Sequence, residues 1–76
     1  MARARTRHPS TVAFGVRVKA RRHELGYSQR ALSDRAGLDW SYTAQVERGE
    51  RNVALLNILR IARALDMDAG DLTRGL

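Results

Sequence analysis

The sequence has no cysteine, so disulfide frameworks and thiolate metal sites are excluded. No apolar run approaches the length of a bilayer span, and no signal-peptide core follows the start. No membrane role is expected, and the expected location is cytoplasmic. No segment alternates apolar and polar residues as a half-buried strand does, so a Gly-rich phosphate loop following a strand is excluded too. His8 and His23 have no partners at metal-ligand spacing. With neither catalytic constellation nor metal or cofactor site, the chain reads as no enzyme. Acid is scarce at one end: residues 1–26 hold seven Lys or Arg and one Glu, whereas residues 27–51 and 52–76 are each neutral overall.

That imbalance carries the entire net charge of +6. A basic surplus attracts a polyanion, because each neutralised phosphate releases condensed counterions. An anionic membrane surface would attract it equally, so charge alone does not choose. Thirteen of the fourteen bases are Arg, which suits bidentate phosphate and guanine contacts but also fits a GC-rich genome. Residues 1–10 hold Arg3, Arg5 and Arg7 without apolar periodicity and read as a flexible basic arm. The other residues, 11–76, form one small domain. With 43% apolar residues in a chain of 76, its core should supply only about 3–5 kcal/mol, so oligomerisation would help.

Beyond Pro9 the pattern is helical throughout. Val12, Phe14, Val18 and Leu25 mark a first helix closed by Gly26. Ser28 reads as the N-cap of a short helix from Gln29 to Ala36, stopped by Gly37. Asp39 reads as the cap of a third, from Trp40 to Arg48, stopped by Gly49. Leu55, Leu56, Ile58, Leu59, Ile61, Ala62 and Leu65 give a fourth with a wide apolar face. Asp68 caps a short last helix, with Asp71 as its capping-box partner. Capping and helix-dipole complementarity account for the Asp66, Asp68, Asp71 cluster better than a metal does. The fold class is all-α, with five helices. A short helix, a Gly-containing turn and a second short helix make a helix-turn-helix.

Three stretches carry a family resemblance. They are Leu25-Gly26-Tyr27-Ser28-Gln29 through Gly37-Leu38, Ser41-Tyr42-Thr43-Ala44-Gln45-Val46-Glu47-Arg48-Gly49 through Asn52, and Leu55-Leu56-Asn57-Ile58 through Leu65. In order and spacing they resemble the phage lambda repressor and Cro-like helix-turn-helix family, the XRE family. The resemblance implies that helix 3 lies in the major groove of double-stranded DNA. Carried over by position, the base-contact candidates are Trp40, Ser41, Ala44 and Gln45, with Asp39 at the rim. Residues 41, 44, 45 and 48 share one helix face, while Thr43 and Val46 turn to the core. Gln45 suits adenine, Ser41 several bases, and Ala44 a thymine methyl. Trp40, where the family usually has a polar residue, has two readings: packing or a dimer contact on one side, and contact with a base, a sugar or a thymine methyl on the other. Ser28, Gln29, Arg48 and Arg51 are the phosphate-contact candidates; Arg30 is a weaker one, expected to face away. Arg22 and Glu47 match the family's structural ion pair between helices 1 and 3.

Two departures from the family stand out: Ala54, where a Ser usually caps helix 4, and Arg21, where an apolar residue is common. The resemblance implies a regulator acting as a homodimer on two half-sites, with no small-molecule ligand expected. Leu65, Met67 and Leu72 are candidates either for the dimer contact or for closing the monomer core. Arg51-Asn52 and Leu55-Leu56-Asn57-Ile58 resemble the restriction–modification controller proteins within the family. The competing class is a protein-interaction module of the same fold, such as an antitoxin or a transcriptional bridging factor.

Overall fold

Pro9 opens the first helix, in the computed structural model, which describes residues 7–76. Its fixed φ suits the first helical turn, where no backbone N–H partner is needed. The helices are α1 (Pro9–Glu24), α2 (Gln29–Ala36), α3 (Trp40–Glu47), α4 (Leu55–Ala64) and α5 (Ala69–Thr73). Of the basic arm, Arg3 and Arg5 lie outside the described residues, and Pro9 and Ser10 already belong to α1. His8 is the N-cap: its Nδ1 accepts from the Ser10 N–H at 3.0 Å, and its own N–H donates to Thr11 Oγ1 at 3.1 Å. This reciprocal pairing satisfies two donors that a bare helix end would leave open.

The caps sort the helices by how firmly they begin. Ser28 accepts from the Ala31 N–H at 3.0 Å, as its position predicts. Asp68 accepts from the Gly70 N–H at 3.2 Å, but Asp71 takes Arg74 Nη1 at 3.0 Å instead of closing a capping box. Asp39 and Ala54 occupy N-cap positions without a side-chain cap bond. At the other end of α2, Gly37 adopts φ 69°, a left-handed conformation that a side chain disfavours. That residue lets the chain turn from α2 into α3.

Phe14, Val18, Leu32, Val46, Ile61, Ala62, Leu65 and Leu72 form the core. Every helix contributes to it. Burying a large aliphatic side chain such as Leu32 or Ile61 is worth about 1.5–3 kcal/mol. Leu65 and Leu72 are wholly enclosed here, which corrects their candidacy as direct dimer contacts: no surface of theirs is left to touch a partner. Met67 is only half-buried. Of the apolar face expected on α4, Leu55, Leu56 and Leu59 point to solvent, the first two with about two-thirds of their surface exposed (67% and 65%).

Several cations hold helices together. Arg21 donates to the carbonyls of Leu65 and Asp66 at 3.0 and 3.3 Å, and Arg17 to that of Leu72 at 3.2 Å. Arg21, standing where an apolar residue is common, thus closes the carboxyl end of α4. The backbone of α1 also comes unusually close to α3 at Gly15. A Cβ there would run into the carbonyl oxygens of Val46 and Glu47, the latter at 2.7 Å. Only a glycine lets α1 seat this tightly behind the end of α3.

Candidate nucleic-acid interface

With Gly15 behind its last turn and Thr43 and Val46 buried beneath it, α3 has one side left for solvent. Ser41, Ala44, Gln45 and Arg48 lie on that side and, with Gln29 and Trp40, line one shallow open depression. All of the base-contact candidates thus come together, flanked by phosphate-contact candidates from both ends. Trp40 is 53% exposed, so it is no core residue. The Arg30 guanidinium lies 5.2 Å from the centre of its ring, within cation–π range. Arg30 therefore reaches across to the start of α3 and does not face away.

The orientation of α3 rests on a buried pair. Arg22 donates from Nε to Glu47 Oε2 at 2.6 Å and from Nη2 to Glu47 Oε1 at 2.9 Å, and from Nη1 to the Tyr27 carbonyl at 2.9 Å. The two side chains retain only 9% and 2% exposure. This is a fork on a carboxylate, the geometry in which guanidinium pairing is strongest. Gln29 Nε2 donates to Glu47 Oε1 at 3.0 Å, so α2 is tied to the same carboxylate. Gln29 keeps a second amide hydrogen for another acceptor. Ser28 uses its oxygen on the Ala31 N–H, and its hydroxyl proton is the group left to donate.

At the far end of α3 the cations are also engaged. Arg48 donates to Glu50 from Nε at 3.0 Å and from Nη2 at 3.2 Å. The hydrogen bond, and then the charge of Glu50, raise the pKa of Arg48 above the ordinary arginine value. Arg7 Nη2 donates to the same carboxylate at 3.3 Å. Arg51 donates from Nε to Gln45 Oε1 at 2.7 Å and lies 5.2 Å from the centre of the Tyr42 ring. Glu50 is absent from the sequence-based candidates; an acid between Arg48 and Arg51 was the available signal.

The charge surplus of the first third is partly internal. Arg17, Arg21 and Arg22 all bond to backbone or carboxylate within the fold. They contribute to the field around the molecule, while part of their donor capacity is spent on contacts within the fold.

A helix-turn-helix family model matches residues 18–72. In structure the chain is similar to the restriction–modification controller protein C.AhdI from Aeromonas hydrophila, with a TM-score of 0.83 and 46% identity over 86% of this chain and 98% of that one. It is also similar to the P22 c2 repressor protein, solved in complex with a synthetic operator (TM-score 0.76, 32% identity, 83% and 96% covered). In sequence it is 31% identical to the control protein C.MunI from Mycoplasma sp over 62 residues, 80% of this chain and 84% of that protein. Against two longer relatives, at 41% and 46% identity, it spans only 26% and 42% of their length. The five helices, the turn at Gly37 and the exposed side of α3 fit this likeness, and the chain belongs to the XRE-type helix-turn-helix family of transcriptional regulators.

Proposed function

We propose that the protein is a transcriptional regulator that binds specific double-stranded DNA by inserting α3 into the major groove. The carrying observation is the gathering of Trp40, Ser41, Ala44 and Gln45 in one open depression, with Gln29 and Arg48 at its edges. Polar edges that read bases sit in the middle, and donors suited to phosphate stand around them. Ser28 and Arg51 extend the phosphate-contacting rim. The Arg22–Glu47 pair has a structural role, holding α3 at the angle the groove requires. No chemistry is assigned to the chain, and its place of action is wherever the DNA is.

The regulator works as a homodimer in this reading. Leu55, Leu56 and Leu59 form an exposed apolar side of α4, and Met67 lies at the surface nearby on the way to α5. A second copy is the partner that a two-fold operator demands, since it places two α3 helices about 34 Å apart on one side of the duplex. Within the family, the near-complete overlap with C.AhdI favours a controller of the restriction–modification type. The same leucines favour a second reading, in which the chain is chiefly a protein-interaction module, as an antitoxin or bridging factor is.

Binding to duplex DNA from the protein's own upstream region, against scrambled duplex, across a salt series, tests the proposal. A preference of about a thousandfold or more, with two-fold-symmetric protection, is the expected result. Equal and steeply salt-dependent binding to both duplexes would overturn it. No duplex binding, with the α4 leucines occupied by another protein, would favour the second reading.

A further inference from the structure

Among the base-reading candidates, Gln45 has its side chain fixed by a hydrogen bond from another side chain. Its Oε1 accepts from Arg51 Nε at 2.7 Å. A guanidinium has only donors, so the amide atom facing it must be the oxygen. That settles which way round the amide stands, a choice an isolated glutamine leaves free. Arg51 is itself placed: it lies over the Tyr42 ring, Tyr42 packs against the core, and the Tyr42 hydroxyl accepts from Asn57 Nδ2 at 3.2 Å. The chain of contacts runs from α4 through Tyr42 and Arg51 to the reading face. Arg51 is not among the residues lining the depression that Gln45 shares with Ser41 and Ala44. It therefore reaches the amide from outside.

We propose that Arg51 is a positioning residue that sets the hydrogen-bonding sense of Gln45, turning its Nε2 group toward the bases. This deepens the DNA-binding reading and rests on it. With Nε2 leading, Gln45 favours base edges that offer acceptors, namely guanine N7 and O6, adenine N7 and thymine O4. It disfavours cytosine, whose major-groove edge presents an amino donor. The second lone pair of Oε1 still allows adenine's amino group to be accepted alongside Arg51, so purines are the preferred class. Without Arg51 the amide rotates freely, and cytosine becomes acceptable.

The test uses the full chain and a pool of randomised double-stranded DNA, followed by duplexes that differ at one base pair. Wild type is compared with Gln45→Ala, which identifies the base pair Gln45 reads, and with Arg51→Met, which keeps a stem over Tyr42 but removes the donors. Arg51 is exposed, so the melting temperature should be unchanged, and circular dichroism checks this. Wild type should discriminate roughly tenfold against cytosine at the Gln45 position, the scale of one good base contact. Arg51→Met should shrink that to within about threefold there and leave preferences elsewhere intact. An even loss across all sequences, with the Gln45 position unchanged, would make Arg51 a phosphate clamp only and overturn the proposal. So would a Gln45→Ala protein with unaltered preferences. A wild-type protein that enriches no sequence would instead overturn the DNA-binding reading itself, and the proposal with it.

Discussion

At its first turn α3 carries Trp40 and Ser41 in solvent behind an Asp39 that makes no cap bond. At its last turn Gln45, Glu47 and Arg48 each hold a partner, and Glu47 holds Arg22 and Gln29 together. The helix is thus fixed firmly at its carboxyl end and left freer at its amino end, where Arg30 over the Trp40 ring is a lighter restraint. This division suits a reading element. Orientation costs ordering, and here the ordering is done before any partner arrives, by groups that lie mostly behind or beyond the reading side. The free end keeps surface available where base edges are met.

The comparison breaks most completely at Glu47. Glu47→Ala leaves Arg22 buried and unpaired, which should cost about 3–5 kcal/mol, as much as a core of this size supplies. The expected result is a protein largely unfolded by circular dichroism and urea titration; an unchanged melting temperature would show that the carboxyl end of α3 is held otherwise. Gly15→Ala comes next. In an open helix this change should stabilise, but here the added carbon meets the carbonyls of α3, and overpacking should cost about 1–3 kcal/mol. The sign of the shift in a thermal melt decides whether that close approach holds in solution.

Two smaller effects sharpen the contrast. Glu50→Gln releases Arg48 and Arg7 from a shared carboxylate, so affinity for any duplex should rise about threefold with a steeper salt slope, in the range of exposed ion pairs. A fall in affinity would mean that Glu50 positions those cations rather than occupying them. Asp39→Ala should change stability by less than about 0.5 kcal/mol, against about 1 kcal/mol for Ser28→Ala. Equal losses in denaturant titrations would mean that the amino end of α3 is capped in solution.

How much of this is legible in the sequence depends on the reach of each interaction. The bounds of α2 and α3 follow from Ser28, Gly37 and Gly49, because caps and left-handed turns act over a few residues. The reading side of α3 follows from helical spacing, and burial of Thr43 and Val46 agrees with it. The role of Arg21 was not legible: its acceptors are carbonyls 44 and 45 residues along the chain, created only when α4 ends beside α1. Nor does periodicity divide the apolar face of α4, where Ile61 and Leu65 are enclosed while Leu55 and Leu56 are exposed. Their spacing is compatible with one stripe, and only the width of the core they meet decides which are covered. For Trp40 the sequence allows packing, a dimer contact or a contact with DNA, because a large ring suits each; its 53% exposure removes packing within the core.

The protein's single tryptophan also gives it an optical reporter of its own. An indole half open to water, with a guanidinium over one side, has an emission sensitive to anything that covers it or draws Arg30 away. Quenching by acrylamide should be efficient in the free protein and should fall as the reading face is occupied. Occupancy of that face can therefore be titrated by intrinsic fluorescence, without a label and without altering a residue.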